Sequence, residues 1–138
     1  MSADLPVFIF DSFAVLASVG GEPGMVRIQD ILDKASNQRC QVFLSVINLG
    51  EVIYITEREA GLAKAQTVLS AVEQLPIEIL PASKESVLAA AHIKAQFPVA
   101  YADAFAIAAA QEHKGVVLTG DPEFHSVEKQ VKVEWLAV

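Results

Sequence analysis

Short apolar runs that alternate with stretches of helical spacing restrict the fold of this chain more than any other feature. Val7–Phe10 is the first run and predicts a buried strand. Further strands are predicted at 42–44, 77–80, 116–118 and 131–135, and helices at 13–19, 26–35, 46–59, 62–74, 84–96 and 102–113. Strands separated by helices predict an α/β fold, with a parallel sheet covered by helices on both faces.

Capping and breaking residues support these boundaries. Ser45 and Ser83 precede helical patterns and are predicted N-caps. Pro98 ends the fifth predicted helix, and Gly115 is predicted to stop the sixth. No linker or repeat divides the sequence, and its length suits one core. Residues 1–138 are therefore predicted to form a single domain.

Four acidic residues fall where this architecture would bring them to one edge of the sheet. Asp11 directly follows the first strand, and Asp121 comes shortly after the fourth strand and Thr119. Asp103 lies in the first turn of the helix that runs back into the fourth strand, and Glu51 lies in the helix after the second. Ligands of such sheets bind at the carboxyl ends of strands, so the four acids are predicted to share a cleft.

Each acid also has an ordinary interpretation. Asp11 could cap the helix that begins near Phe13, and Asp121 before Pro122 is a common turn signal. A carboxylate such as Asp103 is favourable in a first helical turn. Glu51 is harder to explain in this way, because it sits in the almost wholly apolar segment VINLGEVIYI, where an unpaired charge is costly.

Clustered carboxylates repel one another, which raises their pKa values or recruits a cation. Oxygen ligands suit Mg²⁺, with Mn²⁺ as the other candidate. Two such ions can activate a water molecule and stabilise the leaving oxygen in phosphodiester cleavage. Ser12 and Thr119 flank the acids and could orient a water or a phosphate oxygen.

Charge and hydropathy narrow the class of protein. The net charge of −7, from 17 acids and 10 bases, argues against a plain electrostatic DNA binder. Two bound Mg²⁺ would shift that charge to about −3, with the positive charge placed at the site. No apolar run approaches the roughly 20 residues of a membrane span, and the N-terminus lacks a signal-peptide pattern. A cytoplasmic protein without a membrane partner is expected.

Four segments together resemble a known family. FIFDSFAVLA, FLSVINLGEVIYI, FPVAYADAFAIAAA and VVLTGDPEFHSV resemble the PIN domain, in particular the VapC-type toxins of toxin–antitoxin pairs. The resemblance spans nearly the whole chain, with all four acidic motifs in family order. It implies a PIN-like three-layer α/β/α fold with a central, mostly parallel sheet of four to five strands.

The resemblance also implies an activity, a Mg²⁺- or Mn²⁺-dependent endoribonuclease that hydrolyses RNA to 5′-phosphate and 3′-hydroxyl ends. Asp11, Glu51 and Asp103 match the three principal acidic positions, and Asp121 matches a more variable fourth; these would be both catalytic residues and metal ligands. Ser12 and Thr119 match supporting hydroxyl positions. Members of the family commonly form homodimers, and a small antitoxin covers the groove of the toxins.

Two alternatives remain open at this point. A haloacid-dehalogenase-type phosphatase would also place an acid at the end of the first strand, but it needs a second acid where Phe13 stands. A non-catalytic module could keep the PIN fold and only bind a partner.

The apolar faces at 26–32 and 52–55 could serve a dimer or antitoxin interface, or ordinary core packing. The histidines lack zinc-site spacing, although His125 lies near the predicted cleft and could touch substrate.

Overall fold

The sheet contains all five predicted strands, each within a residue of its predicted ends. The computed structural model describes residues 4–137. Its strands are β1 (Val7–Phe10), β2 (Gln41–Ser45), β3 (Glu78–Leu80), β4 (Val116–Thr119) and β5 (Lys132–Trp135). They form one sheet in the order β3-β2-β1-β4-β5, and every pairing is parallel. The α/β prediction with a parallel sheet is therefore confirmed.

Six α-helices connect the strands, and each agrees with its predicted bounds to within a residue. They are α1 (Ser12–Gly20), α2 (Met25–Ser36), α3 (Val46–Ala60), α4 (Leu62–Glu73), α5 (Lys84–Gln96) and α6 (Tyr101–His113). A 3₁₀ helix at Pro122–Val127, which was not predicted, follows β4. Within the described part of the chain, no helix is both long and apolar enough to cross a membrane.

Alternation along the strands builds two cores, one on each face of the sheet. On β1, Ile9 faces the core formed with α5, α6 and the 3₁₀ helix, whereas Phe10 faces the core formed with α1 to α4. On β4, Val117 and Leu118 divide in the same way. Because successive side chains of a strand point to opposite faces, short apolar runs fill both cores at once. The three-layer α/β/α arrangement follows directly.

Helix α6 positions Asp103, one of the four acids that the sequence predicts at the site. Residues 103–110 of this helix are all buried, since small alanine side chains let it pack closely against the sheet and its neighbours. The helix leads into β4 at its carboxyl end. Its first turn, which carries Asp103, therefore lies on the side where the parallel strands end.

Local capping follows the sequence with one exception. The Ser45 hydroxyl accepts a hydrogen bond from the Ile47 amide at 3.1 Å, and the Ser83 hydroxyl accepts one from the Ser86 amide at 3.1 Å, which confirms both N-caps. The prediction that Gly115 ends α6 is wrong by one residue. Lys114 adopts the left-handed conformation that ends α6, with φ of 54°.

The glycine at position 115 is explained instead by its close approach to the neighbouring strand β1. A Cβ atom at this position would lie 2.9 Å from Cγ1 of Val7 and 3.2 Å from the Val7 carbonyl oxygen. A side chain at this position would require Val7 of β1 to shift. A glycine avoids that shift where the chain enters β4 beside β1.

We expect Gly115→Ala to lower the free energy of unfolding by about 1–3 kcal/mol, because Val7 of β1 must shift to make room for the added methyl group. Gly50→Ala is the matched control. Gly50 lies within α3, where a Cβ would meet nothing within 4 Å, so alanine should stabilise the helix by about 0.5–1 kcal/mol. Urea denaturation followed by circular dichroism measures both; equal effects of the two substitutions would contradict this account.

Candidate active site

Asp11 occupies the end of β1 and caps α1. Its Oδ1 accepts a hydrogen bond from the Ala14 amide at 2.8 Å. The residue is only 1% exposed, and its Oδ2 has no hydrogen-bond partner among residues 4–137. Burial raises the pKa of Asp11 to about 7, against the opposing effects of the Thr119 hydroxyl and the Ala14 amide. The helix-cap interpretation is therefore correct, and it leaves one buried oxygen available.

Asp121 and Thr119 lie at the end of β4, the strand next to β1. The Asp121 amide donates a hydrogen bond to Oγ1 of Thr119 at 2.9 Å. Oδ1 of Asp121 accepts one from the Glu123 amide at 2.9 Å, which caps the 3₁₀ helix. Through this hydrogen bond, the fully buried Thr119 side chain holds the turn that carries Asp121.

Asp103 lies where the negative charges converge. Its carboxylate, together with those of Asp121 and Glu123, offers oxygen atoms that all lie within 4.8 Å of one another. Burial raises the pKa of Asp103 to about 8, and the charges of Asp121 and Asp11 add to this effect, followed by a hydrogen bond with Glu123 and the charge of Glu51. The four predicted acids are thus close enough to influence one carboxyl group.

The carboxylates of the four predicted acids are not equally close to one another. Among the described residues, the group within 4.8 Å consists of Asp103, Asp121 and Glu123, and it does not include Asp11 or Glu51. Glu51 is half-buried on α3, and its charge makes the smallest of the contributions to the pKa of Asp103 named above. Asp11 and Glu51 therefore lie outside the tightest part of the cluster, although their charges affect Asp103.

Glu123 is a site residue that the sequence reasoning missed. Its Oε1 accepts a hydrogen bond from the Ala100 amide at 2.8 Å, immediately before α6. The carboxylate therefore links the 3₁₀ helix to the start of the helix that carries Asp103. The signal was present as a second acid in the segment GDPEF, but the turn that brings it beside Asp103 is set by tertiary packing.

The other residues singled out from the sequence have defined surroundings. The Ser12 hydroxyl donates to the main-chain carbonyl of Asn48 at 3.2 Å. Phe13 packs, partly buried, against the core under α1 to α4. His125 is exposed; its ring stacks on that of Trp135 with centroids 4.2 Å apart, and its Nδ1 lies 3.0 Å from Oε1 of Glu128.

The donor set fits a hard divalent cation. The three side chains that meet within 4.8 Å, Asp103, Asp121 and Glu123, are all carboxylates, which Mg²⁺ and Mn²⁺ prefer as ligands. Burial raises the pKa of Asp11 to about 7 and that of Asp103 to about 8, so without a cation both carboxyl groups keep their protons to a higher pH than an ordinary aspartate does. The buried Oδ2 of Asp11 is a further oxygen without a hydrogen bond in the described structure.

Comparison with known proteins gives one family and a set of similar folds. The model of a family described as the PIN domain matches residues 8–130. Comparison with curated proteins finds none of significant sequence similarity.

Several solved structures share the fold at low sequence identity. A chain of VapBC2 from Rickettsia felis, bound to a fragment of promoter DNA, has a TM-score of 0.75 and 14% identity, covering 95% of this chain and 99% of that one. A chain of DNA-bound VapBC from Salmonella typhimurium has a TM-score of 0.74 and 20% identity, covering 94% and 98%. VapC20 from Mycobacterium tuberculosis, a toxin that cleaves the sarcin–ricin loop, has a TM-score of 0.67 and 14% identity, covering 88% and 94%.

We expect the free energy of unfolding of the metal-free protein to fall as the pH rises from about 4 to about 8. The pKa values of about 7 for Asp11 and about 8 for Asp103 exceed the ordinary 3.8. The folded chain therefore keeps protons that the unfolded chain has already released, and ionisation at higher pH favours unfolding. Asp103→Asn should stabilise the protein at pH 8 by about 1–3 kcal/mol, with little effect at pH 4.

Urea denaturation in EDTA across this pH range measures the effect. Asp33→Asn is the matched control, because Asp33 is an exposed aspartate on α2, away from the cluster; its curve should run parallel to that of the wild type. A wild-type stability that stays level or increases between these pH values, or an Asp103→Asn curve that follows it, would contradict the prediction.

Proposed function

The chain belongs to the PIN domain family, and on that premise we propose that it is a divalent-cation-dependent endoribonuclease that acts as the toxin of a toxin–antitoxin pair. The proposed cation ligands and catalytic residues are Asp11, Glu51, Asp103 and Asp121, with Ser12 and Thr119 in supporting positions. Mg²⁺ is the expected cofactor, and Mn²⁺ can replace it.

The observation that carries this proposal is the convergence of carboxylates on Asp103. Asp103, Asp121 and Glu123 each offer an oxygen atom, and these atoms lie within 4.8 Å of one another. Burial is the largest cause of the raised pKa of Asp103, and the charges of Asp121, Asp11 and Glu51, which come from three separate segments, add to it. Buried like charges destabilise a fold unless protons or a cation compensate them. Clusters of this kind are characteristic of functional sites.

The proposed reaction is hydrolysis of an RNA phosphodiester. Water adds to phosphorus, the bond to the 3′ oxygen breaks, and that oxygen leaves with a proton. A divalent cation, when bound, supplies Lewis-acid stabilisation of the charge that develops on the phosphate. The chain's own part is to hold the carboxylates in place: the Ala14 amide fixes Asp11, and the Glu123 amide fixes Asp121.

We expect the purified protein to cleave RNA in the presence of Mg²⁺ or Mn²⁺ and to lose this activity in EDTA. Asp103→Asn and Glu51→Gln should each slow cleavage by about 100-fold or more, because each removes a charge that the cation requires. Glu123→Gln keeps an acceptor for the Ala100 amide and should weaken cation affinity by only about tenfold. Cleavage of a labelled RNA, with analysis of its ends, measures these effects.

Asp33→Asn serves as the control for loss of an aspartate outside the cluster and should cleave at the wild-type rate. The expected products carry 5′-phosphate and 3′-hydroxyl groups. Products with 2′,3′-cyclic phosphate would refute the proposed chemistry. Equal cleavage by all the variants would identify a contaminating nuclease and leave only a binding role for the fold.

We also propose that a small antitoxin covers this site and that the chain forms a homodimer. The VapBC complexes with the same fold support a partner. Some of the apolar face at 26–32 is core, since Ile28, Ile31 and Leu32 are buried, but Val26 is 79% exposed and Met25 is 39% exposed. Val19 at the end of α1 is also 39% exposed. We call these three exposed apolar residues, which flank the α1–α2 turn, the turn patch.

Co-expression with the protein encoded by the neighbouring reading frame should give one complex that does not cleave RNA. Val26→Asp should weaken that complex by about tenfold or more, because it places a charge in the turn patch. Cleavage by the isolated variant should be unchanged, since Val26 is a surface residue. Light scattering after size-exclusion chromatography measures the homodimer of the isolated chain and its complex with the antitoxin. A monomer that binds no partner would oppose this proposal, and so would a Val26→Asp variant that forms the complex as tightly as the wild type.

A further inference from the structure

Asn48 is a fully buried amide that contacts two of the segments bearing the acids. It lies on α3 at 0% exposure. Its Nδ2 donates to Oγ of Ser12 at 3.1 Å and to the carbonyl oxygen of Ala102 at 3.2 Å. The Ser12 hydroxyl in turn donates to the Asn48 carbonyl oxygen at 3.2 Å. One side chain therefore joins α3, the start of α1 and the start of α6.

The residues that it contacts are neighbours of the acids in sequence. Ser12 follows Asp11, and Ala102 precedes Asp103. Asn48 is itself three residues before Glu51 on the same helix, so the two side chains project from adjacent turns on similar sides. A shift of Asn48 would disturb its hydrogen bonds to the segments that carry Asp11 and Asp103.

Packing alone does not explain an asparagine at this position. An apolar side chain of similar size would fill the space without the cost of burying an amide. The cost is also not fully compensated, since Oδ1 of Asn48 has no hydrogen-bond partner among residues 4–137. A buried polar group with an unmet acceptor calls for a specific reason.

We propose that Asn48 is the positioning residue of the acidic cluster, which sets the separation of Asp11, Glu51 and Asp103 through its hydrogen bonds to Ser12 and Ala102. The effect on cation binding rests on the proposed function. The tie between the three segments is a property of the metal-free protein and can be tested without it. This arrangement resembles the outer-shell contacts that orient metal ligands elsewhere.

The test replaces Asn48 with leucine, which has a similar size and removes both side-chain hydrogen bonds. In EDTA, hydrogen exchange of the Ala14 amide, which is bonded to Asp11, should become at least about tenfold faster in Asn48→Leu; exchange of the Ala104 amide, bonded to the Ala100 carbonyl oxygen, should accelerate likewise. Mn²⁺ affinity, measured by electron paramagnetic resonance, should fall by about 10-fold or more.

Thr56→Val is the matched control. Thr56 is another buried polar residue on α3, but its hydroxyl donates only within the helix, to the Val52 carbonyl oxygen at 2.8 Å. This substitution should lower the urea midpoint without affecting Mn²⁺ affinity or exchange at Ala14 and Ala104. If Asn48→Leu does not fold, Asn48→Ser keeps a polar group but is too short to reach Ala102, and the same two readouts apply.

The outcomes separate this inference from the proposed function. A folded Asn48 variant with wild-type exchange at Ala14 and Ala104 would overturn the inference, even if the protein is a ribonuclease. Faster exchange in a protein that binds no Mn²⁺ would support the positioning role and refute the proposed function. If amide exchange and Mn²⁺ affinity change no more in Asn48→Leu than in Thr56→Val, Asn48 is an ordinary buried polar residue without a positioning role.

Discussion

Burial of neighbouring carboxylates at the carboxyl edge of the sheet is the constraint on which the rest of this structure depends. Asp11 and Asp103 are buried, which is the largest cause of their raised pKa values, about 7 and about 8, and the charges of neighbouring acids add to the effect. Such a cluster would move apart unless each carboxylate were held in place. The fold supplies that restraint through main-chain amides and buried side chains, and a cation would remove the cost by replacing the protons.

The same hydrogen bonds that make ordinary turns and caps hold the cluster together. Asp11 caps α1, Asp121 caps the 3₁₀ helix, and Glu123 accepts from the amide that precedes α6. A structural and a functional interpretation of each acid are therefore compatible. In each of these three acids one carboxylate oxygen accepts from a main-chain amide, and Oδ2 of Asp11 has no hydrogen-bond partner among residues 4–137.

Contacts at the edge strand support the segment that carries two of these acids. Trp135 on β5 donates to Oε2 of Glu128 at 3.0 Å, and its ring stacks on His125 of the 3₁₀ helix. On the other face of β5, Glu134 pairs with Arg27 of α2 through N–O distances of 2.6 Å and 3.0 Å. These partly exposed contacts add modest stability, and they join β5 to the layers on both sides of the sheet.

The sequence by itself determined the strands, the helices and the two-faced parallel sheet, because apolar periodicity and chain direction are local properties that strand order then combines. It also predicted that Asp11, Glu51, Asp103 and Asp121 share a cleft; among the described residues, the carboxylate group within 4.8 Å contains two of them, Asp103 and Asp121. It did not determine that Glu123 joins Asp103, that Asn48 spans three segments, or that Gly115 lies so close to Val7 of β1. Those features depend on atoms from distant parts of the chain meeting within a few ångströms. Only the packing of side chains in three dimensions decides such distances, since the same local pattern is compatible with many of them.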